Sequence, residues 1–343
     1  MAESTQSPPA LAVEGLVKRF PARPSIGDLV RRRRLPPVEA VAGVSFSVSG
    51  GEVLAIVGES GCGKTTTANM LLGLLPATEG RVMLAGSEVG IMSRRELSRL
   101  RRNIQMIFQD PYESLNPRMR IAEIVAEPLR VHGEAGTPAE EAERVHDALR
   151  QAGMTPPEAY LGRFPFELSG GQRQRVAIAA ALTLRPRVLV ADEPVSMLDV
   201  SIRAEILKLL RSLADEHGIA VVMITHDLST VAAFADRVAV MYLGRIVELG
   251  PTTLVLADPQ HPYTRALLSV VPVPDPAARR VPQILSGETP DPSRMPSGCR
   301  FHPRCPLAFD RCRTVDPPLF EVGEEHQAAC LLVEGGARLG PSA

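Results

Sequence analysis

The chain has 343 residues, a formal net charge of −1, 22% charged residues and 45% hydrophobic residues. That length suggests about two domains, and the balanced charge excludes a global field that would draw the protein to nucleic acid or acidic lipid. No apolar run reaches the ~18 residues of a membrane-spanning helix, and the opening MAESTQSPPALAVEG lacks the pattern of a secretory signal, so the expectation is a cytosolic protein whose membrane role, if any, comes through partners.

Residues 11–57 alternate short apolar runs with turns, and VSFSVSGGEVLAIVG predicts two strands around Gly50-Gly51, the second being Glu52–Val57. Before them, Arg31–Arg34 reads as a solvated basic loop bounded by prolines. Helices are predicted over 64–75 and 93–102, then across 121–152 with a break at Gly133–Pro138, and through GQRQRVAIAAALTL up to Pro186. RVLVADE is a short buried strand, SIRAEILKLLRSLADEHG an amphipathic helix closed by Gly218, and IAVVMITHD another buried strand. Strands alternating with helices imply a mostly parallel sheet covered on both faces. After residue 250 prolines accumulate, in PVPDPAARRVPQ and ETPDPSRMPSG, which reads as a loop-rich tail because proline extends neither ladder nor helix.

GESGCGKT, Gly58–Thr65, fits G-x-x-x-x-G-K-[ST] with a strand entering and a helix leaving. Its glycines let backbone N–H groups turn toward phosphate oxygens, and the helix adds its positive end. The candidate nucleotide residues are Gly58, Glu59, Ser60, Gly61, Cys62, Gly63, Lys64, Thr65 and Thr66. Lys64 supplies charge for the β- and γ-phosphates of ATP, and the Thr65 hydroxyl suits Mg²⁺. Cys62 reads as a small tolerated residue. In RVLVADEP a buried strand delivers Asp192 and Glu193 at its C-terminal edge, where ligands of parallel sheets gather. Asp192 is placed for Mg²⁺, and Glu193 is the candidate general base.

LSGGQRQRVAIAAAL adds a second helix N-terminus suited to an anion, at Ser169, Gly170, Gly171 and Gln172. With one cradle already at 58–65, a second needs a reason. Here the chain resembles the ATPase subunits of ABC transporters, whose signature is this LSGGQ. Gln109 in IFQD resembles the Q-loop, and SMLD, Ser196–Asp199, resembles the D-loop, with Met197 where Ala is more usual. His226 in ITHD resembles the switch histidine, and Phe20 in VKRF the aromatic residue stacked on adenine. The match covers roughly residues 11–250. It implies a P-loop NTPase cassette: a parallel α/β core, an antiparallel β subdomain, and a helical subdomain at about 110–168 that touches membrane subunits. It also implies a head-to-tail ATPase dimer with each ATP between one P-loop and the other subunit's Ser169 and Gly171. Gln109 would sense Mg²⁺ and the attacking water, and His226 would contact the γ-phosphate.

QDPYESLNPRM, HPYTRALL at 261–268 and the GCRFHPRC tail together resemble the oligopeptide/dipeptide branch, which also includes nickel importers. This implies a peripheral subunit on the cytoplasmic face of the membrane, working with two permeases, a sibling ATPase or second copy, and indirectly a solute-binding protein. No nucleic acid is implied. ABC-type ATPases of DNA repair or translation, the other class weighed, usually carry a coiled-coil insertion or two cassettes, and this chain has neither feature. A purely regulatory nucleotide switch is argued against by an intact Glu193.

Residues 251–343 read as a C-terminal extension holding Cys299, Cys305, Cys312 and Cys330. Four thiolates suit a [4Fe–4S] cluster or Zn²⁺. The gaps are wider than usual zinc knuckles, and the similar tails of peptide-importer ATPases favour the cluster. His302 reads as a loop residue. The expected role is structural, bracing a tail too poor in apolar residues to close a core alone.

Overall fold

The most apolar runs of the chain, VLAIV, VLVAD and AVVMIT, become β3 (Val53–Val57), β7 (Val188–Asp192) and β8 (Ala220–Thr225), every residue of which is buried. A strand covered on both faces needs no polar alternation. In a computed structural model describing residues 8–21, 36–89, 94–271 and 294–340, with 285, 287, 290 and 291, these strands centre an eight-stranded sheet. Arg31–Arg34 and PVPDPAARRVPQ lie outside the described residues.

With β6 (Ile104–Ile107), β9 (Arg237–Tyr242), β10 (Arg245–Pro251), β11 (Phe320–Gly323) and β12 (His326–Ala328), the order is β11-β12-β10-β9-β3-β8-β7-β6. The five strands from β9 to β6 are parallel, as the alternating pattern predicts. Successive residues of β3 feed opposite cores. Val53, Ala55 and Val57 belong to the core that includes residues of α7 (Gly170–Leu182) and α8 (Val200–His217), while Leu54 and Ile56 belong to the core that includes residues of α1 (Lys64–Leu71) and a second sheet. That second sheet, antiparallel, runs β2 (Val38–Val48), β1 (Leu11–Phe20), β4 (Glu79–Leu84), β5 (Ser87–Glu88). The two strands flanking Gly50-Gly51 therefore do not pair with each other. The turn, with Gly51 at φ 80°, carries the chain from one sheet to the other.

The charged stretch forms α2 (Arg94–Asn103). Residues 110–168 hold α3 (Pro111–Ser114), α4 (Ile121–Val131), α5 (Pro138–Gln151) and α6 (Glu158–Leu161). The gap between α4 and α5 falls at Gly133–Pro138, where Thr137 caps α5 reciprocally with Glu140 and Pro138 takes its first position. Gly218 closes α8 at φ 65°. At PYES, Asp110 accepts from Tyr112 N and starts a single helical turn.

The tail is more than loop. Its β12 pairs with β10, so the main sheet continues past residue 250. After α9 (Leu228–Phe234), which lies between β8 and β9, the helices α10 (Thr252–Ala257) and α11 (Pro262–Ser269) follow β10 directly. A fully buried carboxylate, Glu248, fastens the pieces: it accepts from Gln260 N at 2.6 Å, His261 N at 3.0 Å and His326 Nε2 at 2.8 Å. Buried without such donors it would cost several kcal/mol. Phe301 packs against Tyr242 and Tyr263 with ring centroids 5.3 and 5.4 Å away, all three fully buried. Truncating such a Phe to Ala costs about 3–5 kcal/mol, so the extension contributes core as well as loop.

Candidate active site

The loop between β3 and α1 can be closed only by glycine at two points. Gly58 has φ 155° and Gly63 φ 108°, and a Cβ would lie 2.1 Å from Met241 O in the first case and 2.4 Å from Ala40 O in the second. Lys64 is buried at the centre of the curl, its Nζ donating to Gly58 O at 2.7 Å and Glu59 O at 2.9 Å. Cys62 is buried too, and burial pushes its thiol up against the pull of Lys64, which leaves it a neutral packing residue.

Asp192 ends β7 beside the loop. Burial pushes its carboxyl up, and a hydrogen bond with Thr65 opposes this. A hydroxyl and a carboxylate in contact, with Gln109 on the same cleft, are hard oxygen donors that fit Mg²⁺. The next residue, Glu193, has a left-handed φ of 47°, rare for a residue with a Cβ. Its N–H is held by Ile224 O at 2.9 Å and its carbonyl accepts from Ser196 Oγ at 3.1 Å. This turn presents its carboxylate to two side chains from other strand ends: Gln109 Nε2 donates to Oε2 at 2.9 Å, and His226 Nδ1 lies 3.0 Å from Oε1. A cleft of about 660 Å³ has Ser60, Gly61, Gly63, Lys64, Thr65 and Thr66 on one side and Gln109, Glu193 and His226 on the other.

The LSGGQ residues are absent from that lining. Ser169 caps α7 in a reciprocal pair with Gln172: its Oγ accepts from Gln172 N at 3.3 Å, and Gln172 Oε1 accepts from Ser169 N at 3.1 Å. A Cβ on Gly171 would sit 2.5 Å from Ile202 Cγ2, so the signature turn packs onto the start of α8. Asp199 is the N-cap residue of α8, and its neighbours Met197 and Val200 are 60% and 79% exposed. Phe20 ends β1 opposite Val38, two residues from the cleft residue Ala40, with Lys18 Nζ 5.2 Å from its ring centre.

The four tail cysteines converge without disulfides. Burial raises the thiols of Cys299, Cys305 and Cys330, Cys305 up to about 12 and Cys330 to about 11, and the other cysteines of the group push each further up. Among the described residues no group of three or more His, Cys, Asp or Glu side chains is arranged to hold a metal ion. His302 Nδ1 instead meets Cys299 O at 2.9 Å, a loop contact. Two residues that sequence reasoning did not connect with the nucleotide loop touch it. Tyr263 Oη accepts from Glu59 N at 3.1 Å, and Arg304 Nη1 donates to Glu59 Oε2 at 3.0 Å.

Two family models match the chain: ABC transporter over residues 41–196, and oligopeptide/dipeptide transporter, C-terminal region, over residues 247–312. A probable peptide ABC transporter ATP-binding protein of Sinorhizobium fredii is 48% identical over 97% of this chain and 93% of its own length. The oligopeptide transport ATP-binding protein AppF of Bacillus subtilis is 44% identical over 94% and 97%. Among solved structures, the dimeric ATP-binding cassette MJ0796 bound to ADP and Pi aligns with 71% of this chain and 98% of its own at a TM-score of 0.60 and 29% identity. The cbiO1 protein of Clostridium perfringens, part of an ABC transporter complex, aligns with 73% and 91% at 0.62 and 31%.

Proposed function

The chain belongs to the ABC transporter ATP-binding proteins of the oligopeptide/dipeptide importer family, and on that footing we propose that its ATPase drives uptake of di- and oligopeptides across the cytoplasmic membrane. The observation that carries the reading is the meeting of Gln109 and His226 on the Glu193 carboxylate, across one cleft from Lys64 and Thr65. Loop amides and Lys64 bind the phosphates of ATP, and Phe20 stacks on adenine. Thr65, Asp192 and Gln109 would hold Mg²⁺, which would supply positive charge against the phosphates. Glu193 accepts the proton of the attacking water, while His226 and Gln109 orient that water and the γ-phosphate. Ser169 and Gly171 of a second subunit complete the site, a role supported by the exposed Met197 and Val200 beside the signature turn. Closure around ATP then supplies work to two permeases through residues 110–168, and hydrolysis releases it. In this reading residues 1–250 are the nucleotide-binding unit and 251–343 the family's extension. The subunit sits at the inner membrane face through its permeases. No described helix is long and apolar enough to cross a membrane. A sibling ATPase or a second copy is the dimer partner, and a solute-binding protein delivers cargo.

Co-reconstitution with its permeases and binding protein tests the cargo. Oligopeptide should stimulate ATP turnover. Stimulation by nickel with none by peptide would overturn the peptide assignment.

For the extension we propose a [4Fe–4S] cluster on Cys299, Cys305, Cys312 and Cys330. Four unbridged thiols near enough to raise one another support it. Such a cluster would brace the tail. Anaerobic purification should yield about four iron per chain; zinc in its place, or no metal, rejects the cluster.

A further inference from the structure

Between the first two tail cysteines the chain reads CRFHPRC, and both arginines leave the thiol group for the nucleotide-binding unit. Arg304, adjacent to Cys305, is almost covered and grips Glu59 with both terminal guanidinium nitrogens, Nη1 to Oε2 at 3.0 Å and Nη2 to Oε1 at 3.4 Å. Glu59 is the second residue of GESGCGKT. Its N–H goes to Tyr263 Oη, and its carbonyl accepts from Lys64 Nζ at 2.9 Å. One side chain of the cysteine loop is thus two contacts from the phosphate-binding ammonium.

A second line runs in parallel. Arg300 donates to Leu243 O and pairs with Glu39, and the next residue, Gly244, donates its N–H to Cys62 O at 2.8 Å inside the phosphate loop. Phe301, buried under Tyr242 and Tyr263, is the fulcrum between the two arginines. The loop carrying them is held by Cys299 N to Cys312 O at 2.9 Å, His302 N to Cys299 O at 3.0 Å and Arg304 N to Phe301 O at 3.0 Å.

We propose that Arg304 is a positioning residue for ATP: it fixes Glu59 and the phosphate loop, so the order of the Cys299–Cys312 loop sets nucleotide affinity. A carboxylate within the phosphate loop opposes a polyphosphate, and Arg304 cancels that charge where little water screens it. The bidentate pair also holds Glu59 in one orientation, as a lysine would not. This rests on residues 58–65 being the nucleotide site.

The test is ATP titration of the full-length protein by calorimetry. Arg304→Ala should raise the ATP Kd by about ten-fold, the loss expected of a largely desolvated charge-assisted pair, with stoichiometry unchanged. A merely structural lesion would lower the stoichiometry instead. Arg304→Gln, close in size, should match it if the alanine variant does not fold, and Arg304→Lys should recover part of the loss. Cys305→Ser should also raise the Kd, and combining it with Arg304→Ala should add little, since both act through one contact. Wild-type affinity in the Arg304→Ala and Arg304→Gln variants, or fully additive losses in the double variant, overturns the proposal. Lys64→Ala separates the two readings: if it abolishes binding while the Arg304 variants bind normally, the nucleotide site stands and the positioning role falls.

Discussion

The chain carries two helix N-termini suited to phosphate, and they are finished differently. The first, α1, emerges from left-handed Gly63 with no side-chain cap, and its loop lies along a cleft shared with Gln109, Glu193 and His226. The second, α7, is capped by its own residues, Ser169 and Gln172, and lies off that cleft. An uncapped end leaves N–H groups for a ligand, whereas a capped one has satisfied its own. The 3.3 Å bond from Gln172 N to Ser169 Oγ is long, so the serine gives up little in turning to a phosphate. The contrast fits the proposed arrangement of one catalytic face and one spare binding face per subunit, with each site finished by a neighbour. That arrangement fails if either face proves able to act alone.

The largest effect should come from the catalytic face. Glu193→Gln keeps both hydrogen-bond partners but cannot take a proton, so turnover should fall by about 10²–10⁴-fold while ATP binding persists. With hydrolysis blocked, an ATP-bound dimer should accumulate in size-exclusion chromatography with light scattering. Retained turnover would remove Glu193 as the base, and a monomer at saturating ATP, even with the sibling subunit present, would remove the shared site.

The two faces were legible in the sequence for a local reason. GESGCGKT, LSGGQ and RVLVADE each fit within a single strand-turn-helix or strand-turn unit, so residue type and spacing fix their geometry. The break at Gly133–Pro138 and the stop at Gly218 are likewise local, set by glycine conformation and a capping box. What escaped was non-local. Glu248 and His326 are 78 positions apart, and Glu59 and Arg304 are 245 apart, with no pattern in either segment announcing the other. The tail read as loop because its prolines are visible, while the pairing of β12 with β10 depends on an edge that only the folded sheet offers. The four cysteines stand out by composition, but how near they come to one another depends on how residues 297–330 fold.

A smaller effect should come from the spare face, and it tests the comparison more sharply. Ser169→Ala removes the cap of α7, which should lower unfolding stability by about 1 kcal/mol and be visible as a modest drop in Tm. In the isolated subunit it should leave ATP affinity unchanged, because Ser169 does not line the cleft that holds Lys64. In the assembled transporter it should cut turnover by about ten-fold, the value of one hydrogen bond to a charged phosphate. Mixing this variant with Lys64→Ala should then give more activity than either shows alone, since each supplies the wall the other lacks. Weakened ATP binding by the isolated Ser169→Ala subunit would place the signature in its own cleft. Failure of the mixture, with each variant active beside a wild-type sibling, would assign the missing wall to that sibling instead of a second copy.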